Sequence, residues 1–255
     1  MTEVGGREAG TGDAESDPAR AAGGTRRPGM RMPGEATRPP QRHPIVAVDV
    51  VIFTIDGGEL KVLVVEVREG PCAGRWAFPG GRVGMGESLE DAARRELSAK
   101  TGLHDIYLEQ LRTFGDPGRD PQARVVSTAY FALVPAKEML ARSAKYAHVA
   151  WLPVRRLPSL AYDHDAIARA ALDRLRAKLA YTNLVYGLLA AEFTLGELQE
   201  IYEIILGRRL DRRNFRKKIL ASGLLRQLRA QRRGAHRPAA LYRFARRQPT
   251  VVEML

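Results

Sequence analysis

Cysteine is almost missing from this chain: of 255 residues only Cys72 carries a thiol, so no intrachain disulfide can form. Long apolar runs are missing too. Stretches such as 45–48 and 188–191 fall far short of the ~20 residues a membrane-spanning helix needs, which excludes a span and leaves no membrane partner to expect. The first residues carry Gly, Arg and Glu where a secretory signal needs an apolar core, so a reducing cytoplasm is the expected compartment. Residues 1–43 lack Phe, Tyr and Trp and have Val4 as their single β-branched aliphatic residue. Such a segment cannot bury enough apolar surface to offset its ordering entropy, and a disordered tail is predicted.

Acidic side chains are the other shortage: 29 Asp and Glu face 41 Lys and Arg, a formal charge of +12. The imbalance is local. Residues 181–255 hold 15 basic against six acidic side chains, which points to a separate module with an anionic partner of its own.

The folded part opens with an apolar, β-branched run from Ile45 to Ile55, the turn Asp56-Gly57-Gly58 and a second run from Leu60 to Val67, a hairpin signal. A helix is predicted over about 88–100, ending at Gly102, and strands over 105–112, 124–134 and 148–152. Asp163 can cap a helix in which Ile167, Ala171, Leu175 and Leu179 recur every four residues. Strands, a central helix, more strands and a closing helix predict an α/β sandwich over about 44–160, with residues 161–180 as a connector helix.

Within it, Gly81, five residues, Glu87, seven residues, Arg95-Glu96-Leu97 and then Gly102-Leu103 form a spacing that resembles the Nudix box of pyrophosphohydrolases. Gly80-Gly81 lets backbone approach a phosphate, and the helix places positions 96, 99 and 100 on one face. The family pattern has glutamate at all three, whereas this chain has Glu96, Ala99 and Lys100. A hard cation binds through oxygen, so Ala99 offers it nothing and Lys100 either repels it or stands in for it by pairing with Glu96. No metal site and no catalytic residue are expected; Glu87 and Glu96 are vestiges of one. A pocket can outlast its chemistry. Arg119 in the turn-rich segment Phe114–Pro121, Arg124 after it and Arg82 beside Gly81 are candidate diphosphate contacts. Phe78 or Tyr162 is the candidate ring for a base, and Asp163 or His164 the candidate contact to a ribose hydroxyl.

The basic segment reads as a winged helix-turn-helix domain over 181–255. Thr194 and Glu197 form a capping box before Leu195, Leu198, Ile201, Tyr202 and Ile205. Asp211 caps a second helix whose Phe215 and Ile219 face one way while Arg213, Asn214 and Lys217 face the other, with Arg212 and Arg216 beside them. That polar face suits a major groove, Arg for guanine and Asn for adenine. Two strands at about 224–228 and 240–244 flank a basic loop with Arg232, Arg233 and Arg237, a wing for phosphates. A protein-binding module is the competing reading, and the Arg-Asn-Lys face weighs against it.

A degenerate Nudix box followed by Phe193-Thr194-Leu195-Gly196-Glu197-Leu198-Gln199 and Arg208-Arg209-Leu210-Asp211-Arg212-Arg213-Asn214-Phe215-Arg216 resembles the Nudix-related transcriptional regulators, the NrtR family, over about 44–245. The resemblance implies a Nudix α/β/α sandwich followed by a C-terminal winged helix-turn-helix domain. It further implies a bacterial homodimeric repressor of NAD-metabolism genes that binds double-stranded operator DNA and is released by ADP-ribose, with no cofactor required. The alternative is an active Nudix pyrophosphohydrolase acting on ADP-ribose-like substrates, which Ala99 and Lys100 disfavour.

Overall fold

The structure, a computed structural model, describes residues 43–102, 104, 106–136, 148–232 and 238–251; the tail at 1–42 and the wing residues Arg233 and Arg237 lie outside the described residues. Two long strands start the fold: β1 (Ile45–Asp56) and β2 (Glu59–Glu66) pair antiparallel through Gly57 and Gly58. Both glycines have positive φ, 59° and 75°, as a two-residue hairpin turn requires. The short strands β3 (Trp76–Ala77) and β4 (Gly80–Arg82) lead to helix α1 (Leu89–Thr101), followed by β5 (Leu108–Phe114), β6 (Val125–Leu133) and β7 (Val149–Pro153). Among the described residues these seven strands form one sheet, ordered β3-β2-β1-β6-β5, with β4 on β1 and β7 on β2; β1 and β6 run parallel at its centre. The strand expected at 105–112 begins later, at Leu108, and runs on to Phe114.

Period-two alternation sorts β1 between two cores. Val48, Val50 and Ile52 face Ala92, Ala93 and Leu97 of α1. Val51 and Phe53 face the other way, toward helix α2 (His164–Leu179), whose stripe Ile167, Ala171, Leu175 and Leu179 is fully buried. The result is an α/β/α sandwich. Ser88 caps α1 by accepting from the Asp91 amide at 3.1 Å, and Gly102 ends it in the left-handed region at φ 66°. Asp163 does sit at the N-cap of α2 but makes no capping bond, because its carboxylate is engaged elsewhere.

The charge boundary at 181 is not a packing boundary. The core that holds Phe53 and Leu175 continues through Leu184, Leu198, Tyr202 and Phe215 into the basic segment. There β8 (Phe193–Thr194) precedes α3 (Leu195–Leu206), α4 (Arg212–Ala221), β9 (Leu225–Arg232) and β10 (Ala239–Phe244), in a sheet ordered β8-β10-β9. The Thr194–Glu197 capping box and the Asp211 cap, which accepts from the Asn214 amide at 2.7 Å, form as read from the sequence. β9 is longer than expected: Arg229 to Arg232 continue the strand instead of starting the loop, and Gln231 and Arg232 pair with Ala240 and Ala239. Residues 248–250 also return to the body. Buried Asn183 donates to the Gln248 carbonyl at 3.0 Å and accepts from the Thr250 amide at 2.8 Å.

Candidate functional site

One cavity, about 390 Å³, opens where β1, β4, the end of α1, the 119–123 loop and the start of α2 meet. Phe78, Gly81, Arg82, Arg119 and His164, five residues read from sequence as ligand contacts, line it, as do Lys100 and Tyr162. Arg124 does not. It is exposed, and its guanidinium donates to the Val125 carbonyl at 3.1 Å.

The floor is a buried ion cluster built around a residue that the sequence reading missed, Asp49. The loop before β6 is set by two aspartate turns, Asp116 accepting from the Gly118 amide at 2.8 Å and Asp120 from the Gln122 amide at 2.9 Å, and it aims Arg119 inward. The guanidinium grips Asp163 bidentately, Nε to Oδ2 at 3.0 Å and Nη2 to Oδ1 at 2.7 Å, and reaches Asp49 Oδ2 at 3.1 Å. Its side chain is only 4% exposed. Burial opposes the charged guanidinium, but the Asp163 and Asp49 carboxylates outweigh it and raise the group's affinity for its proton. Burial likewise disfavours the Asp49 carboxylate; His164, the Ser127 hydroxyl at 2.6 Å and Arg119 outweigh it and hold the carboxyl below its usual range. The Phe78 amide donates to His164 Nδ1 at 2.9 Å, so the proton of the neutral ring lies on Nε2, 3.4 Å from Asp49 Oδ1.

These contacts bear on four expected roles. Arg119 braces the cavity floor, with its Nε and Nη2 bonded to Asp163 and Asp49. Asp163 is engaged by Arg119, and His164, 3% exposed, by Phe78 and Asp49. Phe78 is 2% exposed and stacks on His164 with ring centroids 5.6 Å apart, which leaves Tyr162 as the ring available to a base. Tyr162 has φ 55°, a strained region for a bulky side chain that the surrounding contacts must hold in place.

Within the box, Arg95 ties several groups together. Its guanidinium donates to Glu87 Oε1 at 2.7 Å and Oε2 at 3.1 Å, to the Arg82 carbonyl at 3.0 Å and to Glu96 Oε1. Glu96 therefore pairs with Arg95, not with Lys100. The diglycine is needed for packing inside the protein: a Cβ on Gly81 would lie 2.8 Å from Glu96 Cδ, and one on Gly80 2.6 Å from the Val48 carbonyl oxygen. A divalent cation, which the resemblance to the Nudix box implies, does not fit this donor set. Both glutamates are already ion-paired to the one guanidinium of Arg95, Ala99 has no donor, and among the described residues no three His, Cys, Asp or Glu side chains converge as a ligand group.

Glu87 gives a direct check. Hydrogen bonds from Arg95 and then from the Gly84 amide bring its carboxyl down to about 2. A depressed carboxyl favours the folded state above its ordinary value of ~4.3 and loses that contribution as the pH falls toward 2. In Arg95→Ala its titration, followed by side-chain carboxyl NMR, is expected to move back toward ~4.3; an unmoved value would contradict the network.

On the basic module, Arg212, Arg213, Asn214 and Lys217 are exposed on α4, while Phe215 and Ile219 are buried against α3 and the core. Arg216 is half-buried with its Nε shielded and without a partner, so it lies along the helix flank. Arg232, read as a phosphate contact, is ion-paired to Glu197 of the capping box. Arg226, Arg229 and Arg243 are exposed on β9 and β10; Arg229 was read as the start of the basic loop, and Arg226 and Arg243 escaped the sequence reading.

Residues 43–175 match the NUDIX domain, and residues 185–244 match the NrtR DNA-binding winged helix domain. The chain belongs to the NrtR family. It is 37% identical over 206 residues to the ADPR-responsive transcriptional repressor NtrR of Acinetobacter baylyi, covering 79% of this chain and 82% of that one. The crystal structure of Shewanella oneidensis NrtR complexed with a 27-mer DNA is similar with a TM-score of 0.72 and 34% identity, over 78% of this chain and 93% of that chain. The ADP-ribose pyrophosphatase of Methanocaldococcus jannaschii is 35% identical over 128 residues, 50% of this chain and 72% of that one. The family explains the layout: one helix, α2, begins at the cavity with Asp163 and His164 and ends at the helix-turn-helix, where Arg176 Nε donates to the Ile205 carbonyl at 3.0 Å. No helix among the described residues is long and apolar enough to cross a membrane.

Proposed function

We propose that the protein is a homodimeric transcriptional repressor that binds operator DNA through α4 and releases it when ADP-ribose occupies the Nudix cavity. The observation that carries this reading is the rigid connection just described. Sixteen helical residues, a rod of ~24 Å, tie the cavity to the first helix of a DNA-reading module. The curated relative that responds to ADPR supports the choice of effector, and the family resemblance supports NAD-metabolism genes as targets.

In a symmetric dimer the two α4 helices must lie ~34 Å apart, or a multiple of a helical turn, to enter successive major grooves. A ligand that shifts the start of α2 moves α3 with it and spoils that spacing. A gel shift with DNA from the gene's own neighbourhood tests the reading: retardation without ADP-ribose and release with it are expected. Retardation that ADP-ribose leaves unchanged would contradict it.

The altered box, with Ala99 and Lys100 in place and Glu87 and Glu96 held by Arg95, supports a sensor over a hydrolase. Metal-assisted hydrolysis needs a cation to stabilise charge on the phosphates and to activate water, and the glutamates that would hold it are bonded to Arg95. No turnover of ADP-ribose with magnesium is expected; turnover at ~1 s⁻¹ or faster would establish the hydrolase reading instead.

A further inference from the structure

We infer that the Lys100 ammonium takes the place of a divalent cation in this cavity, making recognition of a diphosphate independent of metal. The inference rests on the reading of the cavity as a site for ADP-ribose. It starts from the charge of the floor: Arg119 is one cation set between two carboxylates, Asp49 and Asp163, so the cluster is net negative, and Asp120 adds another carboxylate to the wall. An anionic ligand placed against that floor would be repelled. Its phosphates need cations that are not already spent, and two line the cavity: Arg82 and Lys100, neither of which has a described ion pair.

Their placement is specific. Arg82 follows the diglycine on β4, and Lys100 lies one helical turn beyond Glu96, whose carboxylate packs against Gly81. Lys100, Arg82 and Gly81 therefore line the same cavity. Arg95 completes the arrangement: its guanidinium holds Glu87 and Glu96, and neither carboxylate has a described ion pair with Lys100. Lys100 is half-buried, so its charge is screened less than that of a fully solvated lysine. The diphosphate then lies along Gly81 between Lys100 and Arg82, and Tyr162 is left for the base.

The test is calorimetric titration of the full chain with ADP-ribose, in EDTA and in magnesium, using wild type, Lys100→Ala and Lys100→Arg, with adenosine as a ligand that lacks phosphates. Wild-type affinity for ADP-ribose is expected to be the same in EDTA and in magnesium. Lys100→Ala should weaken ADP-ribose binding about tenfold or more while leaving adenosine binding and thermal stability unchanged, and Lys100→Arg should keep affinity within about threefold of wild type. Tightening of the wild type by magnesium, or undiminished ADP-ribose binding by Lys100→Ala, would overturn the inference and leave the sensor reading standing. A wild type that binds no ADP-ribose in either buffer would overturn both.

Discussion

Arg119→Ala is expected to lower the unfolding free energy by about 3–5 kcal/mol, because it removes the one cation from a buried cluster and leaves two carboxylates facing each other. Asp49 and Asp163 have side chains only 10% and 19% exposed, so water cannot replace the guanidinium fully. At ~2–4 °C per kcal/mol for a domain of this size, the Tm should fall by roughly 6–20 °C. Arg119→Lys should be intermediate, since an ammonium keeps the charge but cannot reproduce the two-pronged grip on Asp163. Urea unfolding with an unchanged m-value measures the loss. A loss below ~1 kcal/mol would mean that the cluster does not brace the fold and that Arg119 is available to ligand after all.

The second large effect concerns sequence reading. Asn214→Ala is expected to cost about 1–3 kcal/mol on the preferred operator, roughly 5- to 150-fold in affinity, and to relax preference at one base position. Arg213→Ala should behave the same way at a neighbouring position. Arg229→Ala on β9 should instead weaken every sequence alike and reduce the salt slope by about one, as expected of a phosphate contact. The distinction follows from exposure on α4, where Phe215 and Ile219 fix the helix rotation and leave Arg213, Asn214 and Lys217 outward. Binding to a panel of operator variants decides it; uniform losses in Asn214→Ala would remove α4 from the role of reader.

What the sequence made legible was local. The Asp56-Gly57-Gly58 turn, the Thr194–Glu197 capping box, the Asp211 cap and the four-residue stripe of α2 all depend on neighbours within a few positions, and each occurs as read. The site was harder. Asp49 looks like one polar break in an apolar strand until β6 and α2 bring Ser127 and His164 to it, and Arg119 is 70 residues away in the chain from the carboxylate it holds. Arg119, Asp163 and His164 were each read as ligand contacts, because sequence does not reveal that Arg119 is bonded to Asp163 and His164 to the Phe78 amide. Arg95 was read as a fixed point of a motif, and its capture of Glu87 across eight positions depends on the Gly84 turn. The long β9 was missed because its outer half, Arg229 to Arg232, is exposed and basic and carries no alternation.

The claim that joins the two ends of the molecule is thermodynamic. If ADP-ribose weakens operator binding by some factor, operator DNA must weaken ADP-ribose binding by the same factor, and typical couplings of 1–3 kcal/mol correspond to roughly 5- to 150-fold. The physical route is α2, with its first turn in the wall of the cavity and Arg176 bonded to the Ile205 carbonyl of α3. The decisive measurement is calorimetric titration of ADP-ribose into free protein and into the protein–operator complex. The account predicts weaker binding to the complex, by the factor seen in the gel shift; equal affinity for the two would contradict it and reduce the Nudix domain to a scaffold.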